Sequence, residues 1–202
     1  MQSEFTRAHG LSLVKPSTTQ SRSHFLTTAR VGFGWWRQED VQLALDLWCD
    51  DDVMRFCNSE TPSPEKVRLR LQTEIQYGSK HRMQYWPIFR LADGAHLGCC
   101  GLHPFEGEVE IGYYLRPEFW GQGYAVEAAA AIVEFAFETL NLEILHAETH
   151  PENAPSQQVL QKIGFVRKPG SRFYEPLGIP LIAFSLSRSE FVPKKTLRAR
   201  GY

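Results

Sequence analysis

Residues 113–128 read YYLRPEFWGQGYAVEA, and this stretch constrains the architecture more than any other segment of the chain. A strand pattern with period two ends at Leu115, a short connection containing a proline follows, and an alanine-rich helical pattern begins after Gly121 and Gly123. The first N–H groups of a helix have no partner within the helix and lie at the positive end of its dipole, so a helix start binds anions. The two glycines leave these amides uncovered. The stretch therefore predicts a strand–turn–helix unit that holds a phosphate-bearing ligand.

Two well-known nucleotide-binding patterns do not account for this stretch. Val126 stands where the dinucleotide pattern G-x-G-x-x-G requires a third small residue, and no G-K-[ST] follows as in a P-loop. A tight turn whose glycines serve only the backbone is the alternative interpretation, and the spacing alone leaves both open.

The rest of the chain predicts an α/β (α+β mixed) domain, with strands grouped first and then alternating with helices. Asp93-Gly94 between two strand patterns predicts a β-hairpin, and Lys168-Pro169-Gly170 predicts a turn. The strand patterns occupy residues 27–36, 84–91, 95–102, 108–115, 145–149, 165–166 and 181–186. The helical patterns occupy residues 40–48, 64–78, 122–140 and 153–163.

The composition is that of an ordinary globular domain. Of the 202 residues, 22 are Lys or Arg and 23 are Asp or Glu, so the near-zero net charge argues against a nucleic-acid-binding role, including one for the basic tail. No apolar run reaches the roughly 20 residues that span a bilayer, and residues 1–15 lack the apolar centre of a secretory signal. The four cysteines form no CxxC pair. We therefore expect a cytoplasmic protein with reduced thiols and no membrane partner.

The sequence patterns divide the chain into three parts. Residues 1–25 are polar and aperiodic, as in a flexible leader. Residues 26–190 form the domain, and residues 191–202 form a basic tail.

Three segments together resemble one known family. Residues 116–128, RPEFWGQGYAVEA, resemble motif A of the GNAT N-acetyltransferase superfamily in its RimJ/RimL-like branch, where Pro-x-x-Trp-Gly-x-Gly-Tyr-Ala-x-Glu-Ala is common. Residues 153–165 resemble motif B, with Asn-x-x-Ser followed by Val-Leu-x-Lys-x-Gly-Phe. Residues 110–113, EIGY, resemble that family's fourth strand. The resemblance extends over about residues 27–187.

The resemblance implies a GNAT-type mixed, mostly antiparallel sheet of about six to seven strands, with splayed central strands and helices on both faces. Acetyl-CoA is then the cosubstrate and lies in the splay. Backbone groups near Leu115 and Arg116 pair with its pantetheine, Asn153 hydrogen-bonds the pantetheine arm, and Ser156 lies near the thioester sulfur. The residues expected around the diphosphate are Trp120, Gly121, Gln122, Gly123, Tyr124, Ala125 and Val126.

One position departs from the wider superfamily. Gln122 stands where a basic residue is frequent, which removes a charge from the expected phosphate site. Arg116 and Lys162 are the candidates to supply that charge.

The implied activity is direct acetyl transfer from acetyl-CoA to a primary amine, either a protein N-terminus or a small-molecule amine. Amines are mostly protonated at pH 7, so a base is needed. Glu110 is the first candidate and Glu175 the weaker one, although a solvated strand carboxylate is an alternative interpretation of Glu110. Ser156 is the candidate general acid, or else a helix cap. Tyr113 and Tyr114 are alternative proton donors, unless they only pack.

The remaining expectations concern metals, partners and alternatives. His146, Glu148 and His150 share one strand face, but three such residues are weak evidence for a metal site, and we expect none. A non-catalytic sensor of an acyl-CoA or an amine is the alternative function. The expected partners are acetyl-CoA and an amine acceptor, in a monomer or homodimer, and the residues do not identify the acceptor.

Overall fold

The computed structural model describes residues 22–57, 60–105, 107–174, 177–193 and 198–199. In this part of the chain nine strands form one sheet in the order β7-β8-β6-β5-β4-β3-β2-β1-β9. The strands are β1 (Leu26–Thr27), β2 (Val31–Phe33), β3 (Tyr85–Arg90), β4 (His96–Phe105), β5 (Glu108–Leu115), β6 (Ile144–Thr149), β7 (Val166–Tyr174), β8 (Ile179–Ser187) and β9 (Arg198–Ala199). The helices are α1 (Val41–Trp48), α2 (Asp51–Met54), α3 (Pro64–His81), α4 (Tyr124–Glu138) and α5 (Ala154–Lys162).

The sheet confirms the expected mixed, mostly antiparallel architecture. All neighbouring strands pair antiparallel except β5 and β6, which are parallel. The β5–β6 register contains a single residue pair, Glu110 with His146, and β5 continues to Leu115 without pairing to β6. The two central strands therefore splay apart toward the end of β5.

The sheet has more strands than expected because two-residue strands extend one edge. The single strand expected over residues 27–36 is instead β1 and β2, joined by a turn in which Thr28 N donates to Val31 O at 2.9 Å. Strand β9 lies in the basic tail and pairs with β1, which no sequence pattern indicated.

The turn expected at Lys168-Pro169-Gly170 is wrong. These residues lie inside β7, where the pairing with β8 shifts register between Arg167 and Ser171. A β-bulge accommodates a proline that lacks an N–H and a glycine at φ 92°, so the breaker residues bend the strand instead of ending it.

Helices cover both faces of the sheet, as expected. Ile111 and Leu115 of β5 pack into the core that includes α4, and Tyr113 packs against it. Tyr114 packs against the core that includes α1 and α3. Glu110 projects on the Tyr114 side because side chains alternate along a strand. No helix in the described ranges has both the length and the apolar composition needed to cross a membrane.

The end of the expected leader contacts the domain. Phe25 is buried, and its ring packs on Phe33. Arg22 forms an ion pair with the buried Asp40. Residues 1–21 and most of the tail lie outside the described residues, so the division at 25 and 190 stays a prediction.

These contacts predict where truncation begins to cost stability. A chain that starts at Arg22 is expected to unfold about 5–10 °C higher than one that starts at Leu26, because burial of a phenylalanine contributes about 1.5–3 kcal/mol and Asp40 keeps its partner. Thermal unfolding followed by circular dichroism measures the difference. Phe25→Ala in the chain that starts at Arg22 measures the contribution of the ring separately from that of the ion pair. Equal unfolding temperatures in all three proteins would contradict the prediction.

Candidate active-site cleft

Two neighbouring cavities lie at the splay between β5 and β6. One, which we call the Gly121 cleft, has a volume of about 360 Å³ and extends from Leu115 to the start of α4 and to α5. The other, which we call the Glu110 cavity, has about 100 Å³ and lies between β5 and the end of β6. Both are lined by Phe56, Cys57, Tyr113, Tyr114 and Asn153.

The turn before α4 is fixed by hydrogen bonds within it. The Trp120 indole N–H donates to Leu115 O at 2.7 Å, and Gln122 Nε2 donates to Glu118 O at 2.8 Å. The uncharged Gln122 side chain, which stands where a basic residue is frequent in the superfamily, therefore stabilises the turn.

The two glycines of the turn adopt backbone conformations that L-residues avoid. Gly121 has φ 72° and Gly123 has φ 82°, both in the left-handed region. No heavy atom lies within 4 Å of a Cβ built on Gly121, which lines the cleft. Residues 124–126, the first three of α4, line the same cleft. The space over the helix start is thus open and fits an anionic group such as a diphosphate.

An ion pair and several hydrogen bonds join the start of α4 to the edge of the sheet. Arg30 Nε donates to Glu127 Oε2 at 2.7 Å, and Arg30 Nη1 donates to Gln122 O at 3.1 Å. Thr28 Oγ1 donates to Glu127 Oε1 at 2.5 Å. The turn between β1 and β2 therefore positions the first turn of α4.

The structure places Arg116 away from the cleft. Its N–H donates to Leu97 O at 2.9 Å, so this donor is not left for pantetheine, and its carbonyl already accepts from Phe119 N at 3.0 Å. Its guanidinium pairs with Glu118 at 2.9 Å. The physical reason is strand alternation, which turns the backbone of residue 116 toward β4 and that of Leu115 toward the gap.

Two other cations line the Gly121 cleft. Lys162, a candidate from the sequence, does so from α5. Arg55, which the sequence analysis missed, does so from the turn after α2, with Cζ 4.6 Å from the Phe56 ring centre and 6.0 Å from the Trp120 ring centre. No periodic pattern in the sequence indicates Arg55, because its position depends on a contact with Trp120, which lies 65 residues later in the chain.

Motif B brings Ser156 to Tyr113. Asn153 caps α5, its Oδ1 accepting from Ser156 N at 3.2 Å, so the helix cap is Asn153 and the Ser156 hydroxyl is not used for capping. The Tyr113 hydroxyl lies 3.0 Å from both Ser156 Oγ and Ser156 O. Burial raises the pKa of Tyr113, which keeps its proton available.

Tyr114 lies on the opposite face of the strand. The Arg70 guanidinium lies 4.9 Å from its ring centre, and burial raises the pKa of its hydroxyl. Of the two tyrosines considered as proton donors, the structure brings only Tyr113 to Ser156.

Glu110 lines the cavity named for it and is half-buried. Its pKa is raised to about 7, chiefly by desolvation and then by the nearby Glu148 carboxylate, against the opposing charges of Arg172 and His103. Arg172 holds Glu148 through Nε–Oε1 at 2.8 Å. Glu175, the weaker candidate base, lies outside the described residues.

The three residues considered for a metal have separate partners. His146 Nε2 lies 3.3 Å from Glu108 Oε2, and Glu148 pairs with Arg172. The His150 ring packs on Phe56 at 5.0 Å. Within the described segments no group of three His, Cys, Asp or Glu side chains is arranged to hold a metal ion.

Comparisons with known proteins agree with this geometry. A family model described as an acetyltransferase (GNAT) domain matches residues 30–166. The uncharacterized N-acetyltransferase p20 of Bacillus licheniformis is 28% identical over 174 residues, which cover 82% of this chain and 97% of p20.

Solved structures share the fold. A GNAT-family acetyltransferase from Bacillus anthracis superposes with a TM-score of 0.73 at 23% identity, covering 82% of this chain and 99% of that one. RimL, a ribosomal alpha-N-protein acetyltransferase in complex with coenzyme A, superposes with a TM-score of 0.69 at 15% identity, covering 79% and 95%. Since the family match spans more than half of the sequence and includes both motifs, this chain belongs to the GNAT family of acetyl-CoA-dependent N-acetyltransferases.

Proposed function

We propose that this protein acetylates a primary amine, on a protein N-terminus or a small molecule, by direct attack, with coenzyme A in the Gly121 cleft and the amine in the Glu110 cavity. The observation that carries the proposal is that an open helix start and a half-buried carboxylate of near-neutral pKa line two cavities that share Tyr113 in their walls. Acetyl-CoA supplies a thioester carbonyl that is activated toward amines. RimL, which shares the fold, is described as acting on a protein α-amine.

The phosphates are held at the start of α4. Residues 124–126 line the cleft at the start of the helix, where N–H groups have no partner within the helix, and Gly121 leaves room for an approaching diphosphate. Arg55 and Lys162 supply the positive charge that Gln122 lacks, since both line the same cleft.

The pantetheine arm lies along the end of β5. Alternation directs the backbone of Tyr113 and Leu115 into the gap, and the Leu115 carbonyl is already occupied by Trp120. The Leu115 N–H and the Tyr113 backbone groups are therefore the pairing partners. Asn153 uses its Oδ1 within α5, which leaves its amide N–H groups to donate to the arm.

Glu110 is the base of this proposal. A pKa of about 7 leaves a large fraction ionised at neutral pH and still makes the carboxylate basic enough to take a proton from an ammonium group. Its place in the cavity puts it beside the gap where the arm ends.

Ser156 is the donor to the departing thiolate. The Tyr113 hydroxyl has one proton and two acceptors at 3.0 Å, the Ser156 carbonyl and Ser156 Oγ. When that proton goes to Oγ, the serine proton is left for the sulfur, and Tyr113 positions the Ser156 hydroxyl.

Coenzyme A binding is expected to depend on the open space at position 121. Gly121→Val is expected to weaken coenzyme A binding at least about tenfold, which is about 1.4 kcal/mol, because the new side chain occupies the cleft. Gly94→Val is the matched control, since Gly94 has φ 74°, equally open surroundings and a place in the β3–β4 turn. Calorimetric titration with coenzyme A measures both, and equal affinities would contradict the assignment.

Glu110→Gln is expected to lower kcat/KM about a hundredfold or more. The acceptor is first chosen from an amine panel that includes peptide N-termini, scored by thiol release with acetyl-CoA. Wild-type kcat/KM is expected to rise as pH increases through about 7, because only the ionised carboxylate takes a proton, and this rise is absent in the variant. Glu108→Gln, on the same strand face, is the control. Coenzyme A binding without thiol release from any amine would indicate a sensor instead.

The same substitution is expected to stabilise the fold at alkaline pH. The folded-state pKa of Glu110 is raised, so stability present below about pH 4.5 is lost as pH rises toward 7. Glu110→Gln removes this loss, so its unfolding temperature should exceed that of the wild type more at pH 8 than at pH 5.

The two tyrosines of β5 are expected to differ in their effect on turnover. Ser156→Ala is expected to lower kcat about a hundredfold, and Tyr113→Phe about tenfold, because Tyr113 acts through the serine. Tyr114→Phe is expected to stay within about twofold of the wild-type kcat because its hydroxyl lies on the other face. Steady-state thiol release measures kcat, and equal losses in the two phenylalanine variants would exclude the assignment.

A further inference from the structure

Each turnover leaves one proton to be disposed of. The ammonium nitrogen gives up two protons in becoming an amide, the thiolate takes one, and Glu110 takes the other. Glu110 is half-buried, so it must pass this proton on before it accepts the next one. The following inference rests on the proposed function, in which Glu110 is the base.

His103 of β4 is placed to receive that proton. It is the residue directly opposite Glu110 in the antiparallel pairing of β4 and β5. Side chains of directly opposed residues project on the same face with Cβ atoms about 4.5–5.5 Å apart. The imidazole is 20% exposed, whereas its carboxylate partner Glu74 is 4% exposed, so the ring reaches from the interior to solvent.

Three contacts fix the His103 ring. Its Nε2 lies 3.1 Å from Glu74 Oε2, and the same oxygen accepts from Tyr85 N at 2.9 Å. The rings of Tyr85 and Tyr77 pack on the imidazole, with centroids 4.5 and 4.9 Å away. An ionised carboxylate only accepts, so Nε2 carries the proton and Nδ1 is the basic nitrogen.

We propose that His103, held by Glu74, is the relay residue that carries the amine proton from Glu110 to solvent. The Glu110 carboxylic acid loses its O–H proton to Nδ1, which forms a carboxylate and an imidazolium. The imidazolium is stabilised by Glu74 and then loses the Nδ1 proton to water or a buffer base. Glu110 and His103 thereby return to their starting states, and one proton per turnover reaches solvent.

Other groups around Glu110 are less suited to this step. Arg172 is committed to Glu148 and remains protonated. His146, the partner of Glu110 across β5 and β6, is the competing imidazole, but its Nε2 lies beside the exposed Glu108 and not beside a buried carboxylate. The charged and titratable groups that face Glu110 from neighbouring strands are His103, Tyr85, Glu108, His146, Glu148, His150, Arg172 and Tyr174.

His103→Gln tests the relay, because glutamine offers an N–H to Glu74 but cannot carry a proton. At low buffer concentration kcat is expected to fall at least about fivefold, with KM for acetyl-CoA unchanged and the acid limb of the pH profile moved to higher pH. Added imidazole is expected to restore kcat to within about twofold of wild type, since it accepts the proton from Glu110 directly. A loss that imidazole does not restore, or no loss at all, would overturn the relay.

His146→Gln is the matched control on the next strand, and it is expected to show neither the loss nor the restoration. The relay would be assigned to the wrong histidine if His146→Gln were the variant that imidazole restores. If His103→Gln does not fold, NMR of the wild type and of Glu110→Gln replaces it: the His103 ring resonances are expected to differ between the two proteins at pH 8, where Glu110 is mostly ionised, and identical resonances would overturn the coupling. Full activity in Glu110→Gln would instead refute the proposed base.

Discussion

The single registered pair between β5 and β6 is the constraint on which the site depends. Beyond Glu110 and His146 the two parallel strands separate, and the backbone groups of Tyr113 and Leu115 that face the gap have no strand partner there. Trp120 satisfies the Leu115 carbonyl with its indole N–H. The remaining groups require a ligand or water, so the interrupted ladder is itself a template for an extended amide-bearing arm.

Alternation along β5 divides the chemistry between the two faces of one strand. Tyr113 points to the α4–α5 side and meets Ser156, whereas Glu110 points to the α3 side and meets a row of charged residues. The Glu110 cavity includes Ser156 because the gap connects both faces. In the proposed mechanism the proton donor for the sulfur and the proton acceptor for the amine therefore approach from opposite sides of the sheet, which an unbroken sheet would prevent.

Local sequence patterns predicted local structural features, but they did not indicate contacts between residues that are distant in sequence. Strand β5 has the predicted bounds of 108–115, because period two and its flanking residues suffice to define it. The proline and glycine at 168–170 led to the wrong prediction of a turn, since a β-bulge inside a paired strand accommodates both residues as well as a turn does. The backbone of Arg116 was expected beside pantetheine, but its N–H faces β4. The register between β5 and β4 decides which side each backbone group takes, and the sequence does not show that register. His103 and Glu74 lie 29 residues apart, and only the folded sheet brings them together.

The groups around Glu110 account for the raised pKa of this strand carboxylate. Arg172 donates to Glu148 at 2.8 Å, and the Glu148 carboxylate adds to the desolvation that raises the pKa of Glu110 to about 7. Replacing the Arg172–Glu148 pair with apolar residues would leave desolvation, opposed by His103, to act on Glu110. The two members of the ion pair act in opposite directions on the pKa of Glu110, and Glu148, which lines the same cavity, is the one that raises it.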